Sequence, residues 1–228
     1  MNAGAGEAIS IDWNKMAGSW TLEMSQNFCL TVSLRRSAEE VVGIYGADAD
    51  RFIWVPAREA PEAPRSGTSL RAGVLGEWAF CIEFENPIGS TYAIMRDLSA
   101  QTECLVLLTT AKGLTLFSSV VDGEVVERFE PGYPPSTQGR SPHGYADEIH
   151  GLVADGLGPV AASLRSIARR VGHSLTTEIL HGPLLSVVID DFDRQVLNQP
   201  DPPLLFPAPP PGGSGPLGRR LFVARPPH

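Results

Sequence analysis

Histidines and carboxylates are the side chains from which an acid–base pair or a metal site is assembled, and one stretch of the chain concentrates them. His143, Asp147, Glu148 and His150 fall within eight positions, a set that could ligate a divalent cation or relay a proton. The spacing argues against it. With a helix starting near Gly144, Asp147 and His150 share a face one turn apart and His143 lies ahead of the helix, so no H-E-x-x-H register is met. The stretch reads instead as a solvated helix start whose acids suit the helix dipole. Cys29, Cys81 and Cys104 lie far apart in apolar segments and form no C-x-x-C pair; they read as free thiols packed as small hydrophobes in a reducing compartment. Asp190, Asp191 and Asp193 read as a solvated domain edge rather than a Mg²⁺ site. Gly4 and Gly6 are a fragment of a dinucleotide loop with no strand before it, and no G-x-S-x-G marks a nucleophile. The expectation is therefore no catalytic residue, no cofactor and no metal.

Two segments offer binding instead. The loop from 132 to 144 presents Tyr133, Gln138, Arg140 and His143 on a backbone restrained by prolines, which suits either a ligand loop or an ordered structural crossover. Near the end of the chain, Arg219-Arg220-Leu221-Phe222-Val223-Ala224-Arg225 follows a Pro/Gly linker. Such a tethered basic-apolar motif can dock in a groove or add to a sheet edge, with Leu221 and Phe222 as anchors and Arg219 and Arg220 steering encounter.

Bulk properties narrow the partners. The 228 residues carry 18 Lys+Arg against 26 Asp+Glu, a formal charge of -8, with 43% hydrophobic and 19% charged residues. That is enough apolar material for a core and too acidic for a duplex-binding protein. No run approaches the ~18 apolar residues of a membrane span, and the N-terminus lacks a signal-peptide pattern, so a cytoplasmic protein with neither nucleic-acid nor membrane partners is expected. Only Lys15 and Lys112 are lysines, a bias of the kind GC-rich bacterial genomes impose. Half of the 20 prolines crowd the last stretch, which divides the chain into one domain over 1–198 and a disordered Pro/Gly-rich tail over 199–228.

The elements that must position these residues follow from periodicity. Phe28 to Leu34 alternate as a strand, and Ser37 with Glu40 forms a capping box for a helix that Gly46 closes. A short strand is expected over 51–55, a surface loop over 57–69, and one strand over 74–84 with Val74, Trp78, Phe80, Ile82 and Phe84 on one face and Glu77 and Glu83 on the other. Tyr92, Met95 and Leu98 mark a short helix. A meander then runs through ECLVLLTT, LTLFSSVV and EVVERF, with Asp122-Gly123 as a type I′ turn. Helices are expected from Tyr145 to Val153, from Pro159 to a cap at Gly172, and from Ser174 to Gly182. LLSVVI is too apolar for periodicity to assign. The fold class is α+β: an antiparallel meander with inserted short helices, a C-terminal helical section and the tail.

The order of FCLTVSL, SAEEVVGIYGA, GEWAFCIEF, MRDLSAQTE, DGEVVERFEPGYPPSTQGRSP and ARRVGHSLTTEIL resembles a bacterial family known mainly as a domain of unknown function, over roughly residues 25–185. The resemblance implies a single α+β domain and carries no catalytic residues with it. The functional expectation is a non-enzymatic protein-binding or accessory module of a bacterial cytoplasmic system, with partner and oligomeric state open. The alternative is a small hydrolase or transferase using the 132–150 region.

Overall fold

The central strand β1 (Phe28–Leu34) is buried on both faces, so each side of its alternation must meet a separate apolar layer. The computed structural model, which describes residues 27–63, 67–84 and 87–189, supplies those layers with helices. Phe28, Leu30 and Val32 pack with residues of α3 (Tyr145–Ala154), α4 (Pro159–Val171) and α5 (Thr177–His181). Cys29 belongs to the opposite core, with α1 (Ala38–Ile44) and α2 (Tyr92–Leu98).

Between the layers lies an antiparallel nine-stranded sheet in the order β2-β9-β3-β4-β1-β5-β6-β7-β8. The strands are β2 (Ile53–Val55), β3 (Thr68–Leu75), β4 (Trp78–Phe84), β5 (Glu103–Thr109), β6 (Thr115–Val121), β7 (Glu124–Phe129), β8 (Gln138–Gly139) and β9 (Leu184–Ile189). From β5 to β7 the chain is the expected meander, and β8, inside the stretch expected to be a loop, adds a two-residue strand beside β7. Asp122 and Gly123 take φ of 48° and 82°, the paired positive values that a type I′ turn requires. The last helices then carry the chain across the sheet, and β9 enters between β2 and β3.

Local signals set the helix ends. Ser37 and Glu40 form the reciprocal capping box, Pro159 sits in the first turn of α4, and Gly172 closes it in the left-handed region. Four expectations need correction. The strand expected over 51–55 begins at Ile53, because Ala49–Arg51 forms a 3-10 turn. The segment 74–84 is two strands, because Gly76, at φ 61°, turns the chain so that Leu75 pairs with Trp78; Val74 is thereby exposed instead of joining the face of Trp78. Thr68 and Ser69, assigned to a surface loop, begin β3. The short helix expected from Ser174 starts at Thr177, where the Thr176 side chain caps Ile179 N–H. No helix among the described residues is long and apolar enough to cross a membrane.

Candidate functional site

Glu103, the first residue of β5, faces the α3–α4 layer and is almost fully buried. A carboxylate placed there needs partners, and it has them. Tyr145 Oη donates to Oε1 at 2.8 Å. Arg170 donates to Oε2 through Nε at 3.1 Å and through Nη2 at 2.5 Å, and its guanidinium lies over the Trp78 ring, 5.4 Å from the centroid. Burial, reinforced by the Glu103 charge, pushes the Tyr145 phenol upward, keeping it a donor. The Glu103 hydrogen bonds hold the Arg170 guanidinium above its ordinary value. His143 Nε2 completes the group at 3.8 Å from Oε2, with its side chain 39% exposed. That is an ion-pair distance, longer than the roughly 2.6–3.2 Å reach of a proton-transferring pair. The carboxylate chiefly fastens β5 to α3 and α4.

The remaining members of the 143–150 group turn elsewhere. Asp147 is exposed beside Arg140, 3.7 Å away. Glu148 receives Ser166 Oγ at 2.8 Å and pairs with Arg169, joining α3 to α4. His150 accepts Gly132 N–H at Nδ1, 3.1 Å, and contacts Thr137 Oγ1 at Nε2, 3.1 Å. Partial burial lowers its basicity, and with Nδ1 accepting, the proton of the neutral ring sits on Nε2. Ser136 adds bonds to Glu130 and Tyr133, so 130–137 is an internally bonded crossover with Tyr133 exposed on it. Tyr133, Arg140 and His143 thus have separate surroundings: solvent, Asp147 and Glu103. Gly4, Gly6, Asp190, Asp191, Asp193, Arg219, Arg220, Leu221 and Phe222 lie outside the described residues, as does the boundary at 198.

A second buried network lies on the other face and was not foreseen. Glu83 is fully buried in β4. Its carboxylate accepts Ile88 N–H at 2.6 Å, Gly89 N–H at 2.9 Å and Tyr45 Oη at 3.0 Å, and Tyr45 Oη lies 3.0 Å from Thr31 Oγ1. Burial outweighs these donors and raises the Glu83 carboxyl to about 7. The adjacent Cys29 and Cys81 thiols are pushed well up by burial and by Glu83. Cys29, Cys81 and Cys104 are free and buried. Among the described residues no three or more His, Cys, Asp or Glu side chains are grouped to hold a metal ion.

The surface feature that stands apart is β2. It is one end of the sheet, and an edge strand presents backbone N–H and C=O groups to any extended chain. Trp54 pairs with Leu185 and Ile53 with Ser186, so their side chains lie on opposite faces of the edge, 53% and 42% exposed. The edge is firmly seated from behind. Arg71, buried with no carboxylate partner among the described residues, donates to Leu180 O at 2.5 Å, Gly182 O at 3.1 Å and Val55 O at 3.2 Å, while Arg51 donates to Val188 O.

The sequence profile of the family of unknown function DUF6461 matches residues 10–158, well over half of the chain. The chain belongs to this family. The matched DUF6461 region contains β2, the Glu83 network, Glu103 and the 130–144 crossover, and stops before α4, so Arg170 and β9 lie beyond it. Comparison with curated proteins and with solved structures gives no match.

Proposed function

We propose that this DUF6461 chain is a non-enzymatic protein-binding module that receives an extended segment of protein along β2. One observation carries the reading: a seated edge strand exposes a tryptophan and an isoleucine, one on each face. Strand addition draws affinity from backbone bonds and specificity from alternate side chains, and tryptophan is among the residues that most often anchor interfaces. Because β2 is only three residues long, its ladder is short and the side chains must supply much of the affinity. The buried carboxylates, by contrast, are engaged in holding elements together. The free buried thiols and the arginine bias support a bacterial cytoplasm as the setting. Arg219, Arg220, Leu221 and Phe222 form a second candidate binding element, which truncation after Asn198 would remove.

The test is selection of peptides from a random displayed library on the full-length protein. Enriched peptides should lose at least about tenfold in affinity for Trp54→Ala, the loss of an anchor; unchanged affinity for Trp54→Ala would refute the reading. A hydrolase or transferase reading rests on half-exposed His143 beside Glu103, and would gain if a His143→Ala variant lost turnover of a generic ester substrate that the wild type hydrolyses.

A further inference from the structure

The segment around β2 is arranged alike in both directions. Single 3-10 turns at Ala49–Arg51 and Ala57–Glu59 flank Ile53–Val55, each separated from the strand by one residue, Phe52 on one side and Pro56 on the other. A two-fold axis through Trp54 therefore brings the first turn of one chain against the second turn of another. In that antiparallel register Ile53 meets the partner subunit's Val55, and Trp54 meets the partner subunit's Trp54. The turn that carries Asp50 then lies opposite the turn that carries the partner subunit's Arg58. Asp50 is exposed. The Arg58 side chain is 83% exposed and paired with its sequence neighbour Glu59 at 3.1 Å, an exposed pair that contributes little and yields readily to a new partner.

We infer that the extended segment received at β2 is the β2 of a second copy of this chain, paired antiparallel about Trp54 so that the sheet continues across a two-fold axis. The inference rests on the reading of β2 as a docking edge and names its occupant. Three features converge on it. The edge is unpaired by any strand on its outer side among the described residues. Apolar side chains are offered on both faces, so a symmetry-related copy sets Trp54 beside the partner subunit's Trp54 on one face and Ile53 beside the partner subunit's Val55 on the other. The charges at the two ends are opposite in the register centred on Trp54, the one that sets the two flanking turns against each other, and an isologous interface demands that self-complementarity. Such a contact is small and belongs with transient, concentration-dependent association.

Sedimentation velocity of the full chain over a range of concentrations tests this, with Asp50→Arg and Arg58→Asp as variants. Both positions are exposed, and matching thermal melts show that the variants fold. The wild type should shift from the mass of one chain toward that of two as concentration rises. Each variant alone places like charges at both ends of the interface and should weaken dimerisation about tenfold or more. An equimolar mixture of the two pairs opposite charges at both ends and should restore the heavier species. A wild type that stays monomeric, or single variants that dimerise like the wild type, would overturn the inference. If that wild type still selects peptides that depend on Trp54, the docking edge stands and only its occupant is wrong; if neither result appears, both fall.

Discussion

Replacing Glu83 by glutamine removes one buried proton site while keeping nearly the same shape, and its effect should depend on pH in a definite direction. Folding raises this carboxyl from 4.5 to about 7 because burial penalises its charge. Between those values the folded protein holds a proton that the unfolded chain has released, so the contribution of Glu83 to stability is greatest below about pH 4.5 and falls as pH rises toward 7. The shift corresponds to about 3 kcal/mol over the window. Glutamine has no such term, but its amide NH2 cannot accept. At one end it would face a backbone N–H that the carboxylate now accepts, Ile88 at 2.6 Å or Gly89 at 2.9 Å, a buried donor left unpaired at a cost of about 1–3 kcal/mol at every pH. Urea unfolding of both proteins at pH 5 and pH 8 measures the difference, and other titrating groups cancel in it. The deficit of Glu83→Gln should be larger at pH 5 and shrink by about 2.5 kcal/mol at pH 8, the part of the shift that lies above pH 5. A deficit that grows with pH would show that the three donors hold Glu83 as a stabilised anion and that burial is not the dominant effect.

Gly89→Ala should destabilise by about 2–4 kcal/mol through crowding and lost hydrogen bonds, because its Cβ would lie 2.3 Å from both Glu83 Oε1 and Tyr45 Oη; Gly43→Ala in α1, with open space around it, should instead stabilise by about 0.5–1 kcal/mol. Chemical denaturation reads both. Arg71→Met should cost about 2–4 kcal/mol in the same assay by leaving the Leu180, Gly182 and Val55 carbonyls unpaired, and should expose the 53–59 segment to limited proteolysis. His150 is less basic folded than unfolded, so its contribution is present above its ordinary value of 6.5 and fades as pH falls through its lower folded value. Acidification protonates the Nδ1 that accepts Gly132 N–H, and the protection of the amides across 132–137, taken relative to their intrinsic exchange rate at each pH, should fall there in the wild type but not in His150→Ala.

Features encoded within a few residues were legible in the sequence. The Ser37–Glu40 box, the Asp122-Gly123 turn and the Pro159 and Gly172 helix ends are each complete within one element, and each stands as expected. The hairpin at Gly76 was missed because a two-residue turn inverts parity: Leu75, not Val74, shares a face with Trp78, although Val74 and Trp78 have even spacing in the chain. LLSVVI could not be assigned because β9 lies inside the sheet, buried on both faces, and so has no polar alternation. The polar clusters were illegible for a different reason. Glu103 finds Tyr145 and Arg170 at separations of 42 and 67 residues, and Glu83 finds Tyr45 at 38, distances over which no spacing motif operates. His143 and Arg140 read as one ligand loop in the sequence, yet they have different partners, because His143 faces Glu103 on β5 while Arg140 faces Asp147 in the first turn of α3. The exposure of Trp54 depends on β2 being the sheet's edge, a property of topology that a short apolar run does not carry.

The central claim is that an extended chain segment adds to β2, and hydrogen–deuterium exchange of the full-length protein tests it most directly, with the backbone amides of 52–55 followed at low and at high protein concentration and with a selected peptide bound. The account expects these amides to slow on association while those of β8, at the far edge of the sheet, stay as they were. Unchanged exchange across 52–55 together with slowing at another surface would contradict it.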